Sequence, residues 1–111
     1  DDGSLRFYCG IDEGLVLTVA HGGDMALNLE QAQENLTVSL ESSEIILGCD
    51  CILRRLEAQQ TQKTLEVSEI LQRHKVLGFN TYGEQFKSMH VNQTFTGVVI
   101  GRPVPAERAE A

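Results

Sequence analysis

The chain has 111 residues, 41% hydrophobic and 23% charged, with no Trp, a balance that supports one soluble globular domain with its own core. Sixteen acidic against nine basic residues leave a net charge of −7, and the one basic cluster, Arg54-Arg55, is too small to face a phosphate backbone. Nucleic acid and membrane are therefore disfavoured as partners, and no apolar run approaches the ~20 residues of a membrane span.

In chain order, Leu5 to Ile11 and Leu15 to Val19 are β-prone runs separated by Asp12-Glu13-Gly14, which predicts a hairpin. His21-Gly22-Gly23 breaks the second strand, and Asp24 suits a helix cap. Leu29, Ala32, Leu36 and Leu40 then recur at steps of three and four, predicting an amphipathic helix from about Ala26 to Glu41. Ile45 to Asp50 reads as a short buried strand. Val67, Ile70, Leu71 and His74 mark one face of a second helix within 51–75, starting near Gln59 or earlier. Val76 to Gly83 and Gln93 to Gly101 are the last two strands, expected to pair with each other as an antiparallel hairpin.

The expected order is β-β-α-β-α-β-β, an α/β (α+β) fold with a mixed sheet of about five strands and two helices packed on it. Residues 1–101 would form one domain, and 102–111, with Pro103 and Pro105, a disordered tail. The opening Asp1-Asp2-Gly3-Ser4, without Met or a signal-peptide pattern, reads as that of a fragment of a longer protein. Three cysteines, an odd number, point to reduced thiols in a cytoplasmic setting, and small buried hydrophobes is the favoured reading of Cys9, Cys49 and Cys51.

The stretch Asn80 to Thr94 crowds Asn80, Thr81, Tyr82, Glu84, Gln85, His90, Asn92, Gln93 and Thr94 together. Such groups are costly to bury unpaired, so they read as an internal hydrogen-bond net or as the lining of a binding site. Period-two parity puts Gly78, Asn80, Tyr82 and Glu84 on one face of their strand, and Gly48 and Asp50 on one face of theirs. If the two strands are parallel neighbours, their carboxyl ends converge, where ligands of open α/β sheets bind. The paired glycines would then leave room above the sheet. Arg54 and Arg55 follow within a few residues, either as a clamp for an anionic ligand or as a solvated helix start with one structural salt bridge. His90 reads either as a metal ligand or as a structural hydrogen-bonding group, and His21 and His74 have weaker claims. No nucleophile–base motif stands in the chain, so the reading is a binding domain and not an enzyme.

GLVLTVAHGGDM, GCDCILRRLE, and GFNTYGEQ with HVNQTFTG, spread over residues 5–101, resemble the C-terminal half of FIST-type sensory domains (FIST C). The form with DCILRR and TYGEQ looks closest to the bacterial branch that includes haem-containing nitric-oxide sensors. The resemblance implies a cytoplasmic module that binds a small ligand and reports to a histidine kinase or a cyclic-dinucleotide enzyme, with haem as a cofactor in the full-length protein. It also implies an N-terminal half of the same protein as partner. The matching positions are Asp50, Cys51, Arg54, Arg55, Tyr82, Glu84, His90, Asn92 and Gln93. The alternative is an interaction domain without a ligand, docking that half or a kinase, or associating with itself as a homo-oligomer.

Overall fold

A computed structural model describes residues 2–105. The chain enters regular structure at α1 (Met25–Thr37), which Asp24 caps as expected: its Oδ1 accepts from the backbone N–H groups of Ala26 and Leu27 at 2.9 and 3.0 Å. The helix stops at Thr37, four residues before the expected end at Glu41. Thr37, Val38 and Ser39 are poor helix formers, and the Thr37 hydroxyl donates back to the carbonyls of Gln33 and Glu34. Leu40 instead opens β1 (Leu40–Cys51), a strand of twelve residues where the sequence promised six.

β1 passes without a loop into α2 (Ile52–Gln60), with Cys51 as its N-cap, and α3 (Thr64–Arg73) follows. The single second helix is thus two. They part at Gln62, which takes a left-handed φ of 57° while Lys63 N–H closes on the Ala58 carbonyl at 2.7 Å. Lys63 then reaches Glu66 at 2.7 Å and the capping Asp24 at 3.5 Å, tying the starts of α1 and α3 together.

The remaining elements are β2 (Val76–Thr81), β3 (Glu84–Phe86), β4 (Met89–Val91) and β5 (Phe95–Pro103). β1 lies between parallel β2 and antiparallel β5, in the order β2-β1-β5, and β3 and β4 form a separate two-stranded ribbon. Two expectations change here. The single five-stranded sheet is a three-stranded sheet plus a ribbon. The last long strand pairs with β1 and not with β2, because residues 82–94 fold into the ribbon and carry the chain past the end of β1. The ribbon's turn, Lys87-Ser88, has φ of 48° and 64°, a two-residue hairpin turn built without glycine.

The predicted N-terminal hairpin is absent. Within residues 2–24 one turn bond, Leu15 N–H to the Asp12 carbonyl at 3.4 Å, is the backbone pairing found, and the apolar side chains stand in solvent. Alternation marked a strand face, but among the described residues no neighbouring strand meets it. Of the predicted tail, Arg102 and Pro103 belong to β5, and residues 106–111 lie outside the described residues. Among the described residues no helix is long and apolar enough to cross a membrane.

The core lies on one side of the sheet. Met25, Ala26 and Leu29 of α1 pack with Ala58 of α2 and Val67 and Ile70 of α3, joined by Leu71 and Phe95. By register, Ile46, Gly48 and Asp50 share this helix-covered face with Val76, Gly78 and Asn80 of β2 and with Val99, Gly97 and Phe95 of β5. Gly78, Gly48 and Gly97 therefore form one row across three strands. The row does not hold an open bed for a ligand over Gly48: a Cβ there would stand 2.6 Å from Cζ of Phe95, whose ring fills the space. Gly48→Ala is expected to displace that ring and destabilise the fold by about 1–3 kcal/mol. Urea unfolding measures this, and an unchanged midpoint would contradict the packing.

Candidate functional site

The carboxyl ends of β1 and β2 converge as parity required. Asp50 and Asn80 are register partners in the parallel ladder, and the Asn80 Nδ2 donates to the Asp50 carbonyl at 3.2 Å. The turn of β1 directly into α2 brings the two arginines back over these ends. Arg54 Nε donates to Asp50 Oδ1 at 2.7 Å, with the two side chains 9% and 16% exposed. Arg55, one residue further round the helix, is exposed and reaches Asn80 Oδ1 through Nη1 at 3.4 Å. One arginine is thus structural and the other faces outward.

This pairing leaves the cluster unfinished. The Arg54 Nη2 is buried and has no hydrogen-bond partner among the described residues. Burial pushes the Asp50 carboxyl above its ordinary value; the Arg54 charge and hydrogen bond pull it back, and the charge of Glu84 adds a smaller push upward. Beside Asp50 lies a cavity of about 190 Å³, walled by Asp50, Asn80, Leu71, Val76 and Phe95 over Gly48 and Gly78; Arg54 and Arg55 are not among its lining residues.

Glu84 sits behind this cluster, 4% exposed, accepting from the hydroxyls of Thr81 and of Thr94, the latter at 2.7 Å. Those hydroxyls tie the end of β2 to the approach to β5, and Cys51 N–H donates to the Thr94 carbonyl at 3.0 Å on the same seam. The other motif residues go elsewhere. Tyr82 is 89% exposed. Gln93 donates to Glu57 of α2 at 2.7 Å. His90 and Asn92 pack against Gly83, where a Cβ would collide with the His90 ring, and both amide atoms of Asn92 are buried without a partner among the described residues. The crowded polar stretch is therefore two structures: a bracket on Glu84, and a His90–Asn92 cluster packed on Gly83.

Among the described residues no group of three or more His, Cys, Asp or Glu side chains is placed to hold a metal ion. His74 is occupied at 2.9 Å by Glu30, which also meets Arg73 at 3.0 Å, and His21 lies exposed in the N-terminal segment.

Sequence reasoning placed Thr81 and Thr94 in the crowded polar stretch without assigning them to Glu84, and it missed Phe95. A threonine three residues before the buried acid was the available signal for the Thr81 pairing. It also missed the opposite face of the sheet, where Leu47, Cys49, Leu77, Phe79, Val98 and Phe86 line an open apolar trough of about 810 Å³. That trough is larger than the polar cavity and lies away from the ion pair, so the two faces offer different chemistry.

One family model, that of the FIST C domain, matches residues 1–87. The span takes in GLVLTVAHGGDM, GCDCILRRLE and GFNTYGEQ and ends before HVNQTFTG. No curated protein and no solved structure matches the chain.

The raised Asp50 carboxyl gives a pH signature. The folded state holds this proton more tightly than the unfolded chain, so Asp50 favours folding below pH 3.8 and the contribution is lost as pH rises through the raised folded value. Asp50→Asn is expected to remove that segment of the stability–pH profile. Denaturant midpoints measured from pH 3 upward would show it, and superimposable profiles would refute it.

Proposed function

Since the chain belongs to the FIST C domain family, a family of sensory domains in signal transduction, we propose that it binds a small zwitterion, an α-amino acid or a close relative, at the carboxyl ends of β1 and β2. The observation that carries this is the unpartnered Arg54 Nη2. A buried donor left unmade costs about 1–3 kcal/mol, and a ligand carboxylate oxygen relieves it with a charge-assisted bond. Arg55 supplies a second, exposed guanidinium on the same side. Asp50 complements a ligand ammonium, whose charge would favour the ionised carboxylate that burial disfavours. The cavity of about 190 Å³ suits a ligand of this size, roughly six water-sized groups at about 30 Å³ each.

The reading is binding and not catalysis: Asp50 is engaged by Arg54, and Glu84 by two threonine hydroxyls, so neither acid is poised beside a nucleophile. The free cysteines Cys9, Cys49 and Cys51 suit a cytoplasmic setting. Ligand occupancy would be passed to a signalling partner such as a histidine kinase or a cyclic-dinucleotide enzyme.

Haem as the ligand, and nitric oxide as the signal, suit the geometry poorly. Axial ligation by His90 requires that ring to enter an apolar cavity. The His90 ring instead packs on Gly83 and does not line the apolar trough, and His74 is held by Glu30. The interaction-domain reading has its own support in the open apolar face, which a bound protein would cover.

Thermal unfolding against a panel of amino acids should rise by several degrees for at least one member, since ligand at 100 times its Kd stabilises by about 2.7 kcal/mol. Arg54→Gln and Asn80→Ala should each abolish the shift. Silence across the panel would defeat the zwitterion reading. Haemin added to the wild type and to His90→Ala should give the same absorption spectrum, and a difference between them would restore His90 as a ligand.

A further inference from the structure

The N-terminal segment and the uncovered sheet face are both unfinished in the same way. In residues 5–19, a three-residue loop Asp12-Glu13-Gly14, with Gly14 at a φ of 87°, sets Ile11 opposite Leu15, and a hairpin in that register brings Leu5, Phe7, Ile11, Leu15, Leu17 and Val19 to one apolar face. All six are exposed, from 38% at Ile11 to 97% at Val19, and the strand-forming backbone has no partner in its own chain among the described residues. A lone two-stranded hairpin is marginal in water, so this segment needs a sheet to pack on.

Such a sheet stands in the same molecule with its face bare. Leu47, Leu77, Phe79, Val98 and Ile100 project from β1, β2 and β5 on the side away from the helices, with Phe86 of the ribbon at the margin, and they are 46–68% exposed. The outer edges of β2 and β5 are also unpaired among the described residues. Reaching this face within one chain is awkward. Residue 24 is fixed to Lys63 in the helix layer, so the segment starts on the opposite side of the sheet.

We propose that residues 5–19 of one copy pack as a hairpin on the open sheet face of a second copy, and reciprocally, giving a two-fold symmetric arm-exchanged dimer. The arrangement is self-complementary, since each copy contributes one arm and one face. Six arm residues against six face residues, at roughly 60 Å² each, give roughly 700 Å² per contact. Two contacts give roughly 1,400 Å², within the range of about 1,200–2,000 Å² typical of stable complexes. The dimer leaves the Asp50–Arg54 cluster outside the interface, so it stands or falls apart from the zwitterion reading.

The test is the mass of the full chain by sedimentation equilibrium between 1 and 100 µM. Twice the 12.2 kDa of one chain is expected. Phe7→Glu with Leu17→Glu, in the arm, and Phe79→Glu, on the face, should each give monomers of unchanged helical circular dichroism, because all three side chains are already exposed. Mixing the arm variant with the face variant restores one of the two contacts and should return a dimer-sized species at 100 µM. A wild type that stays monomeric overturns the proposal, including one whose arm resists protease by closing on its own face. So does an arm variant that remains dimeric, a mixture that stays monomeric, or growth into larger open-ended species.

Discussion

Asp50 and Arg54 stand four residues apart across a corner at which a β-strand becomes a helix with no loop between them, and their 2.7 Å contact holds that corner. Both side chains are largely out of water, so neither charge is tolerable alone: removing one partner leaves the other buried and uncompensated. The pair fixes the angle at which α2 leaves β1. That angle decides where α2 and α3 lie over the sheet, hence which face is covered. The parallel strand β2 then arrives beside β1 with Asn80 against Asp50, and the second arginine comes to rest above it.

The helices cover one face only, and the row of glycines explains how tightly. With Gly48, Gly78 and Gly97 side by side, the helix-facing surface has a band without side chains, and Phe95 from β5 fills it over Gly48. The filling is incomplete toward the strand ends, where the small polar cavity remains. On the other face no element among the described residues plays the part of α1 and α3. A sheet of three strands with hydrophobic residues on both faces is the composition of a central layer, and the described residues supply one of the two layers that would flank it.

The features legible in the sequence were those set by local chemistry. Asp24 announced its cap, and parity brought Asp50 and Asn80 to converging strand ends on the condition that their strands, joined by a helical crossover, lay parallel and adjacent. The adjacent arginines could be separated into one inward and one outward because neighbouring helical positions differ by about 100°. Less was legible where the partner is remote in sequence. Alternation at Leu5–Val19 says that one side is apolar and is silent on whether a strand lies beside it. The pairing of β5 with β1 turned on the ribbon at Glu84–Val91, whose Lys87-Ser88 turn carries none of the glycine or asparagine that normally signals a hairpin. Much of the polar crowding from Asn80 to Thr94 answered internal needs, because Glu84 is buried and its oxygens take up two threonine hydroxyls.

The alternation of β1 also bears on how such a domain works as a sensor. Gly48 and Asp50 point to the polar cavity, Leu47 and Cys49 to the apolar trough, and they succeed one another along a single backbone. A ligand that draws Asp50 and Arg54 together acts on a strand hydrogen-bonded on both edges, so β1 is poorly able to shift without β2 and β5. Under the proposed reading, occupancy on the helix side is therefore felt on the open face through strand position, with no relay of side chains across the core. The coupling is reciprocal: a protein covering the open face would alter ligand affinity by the same factor that the ligand alters docking.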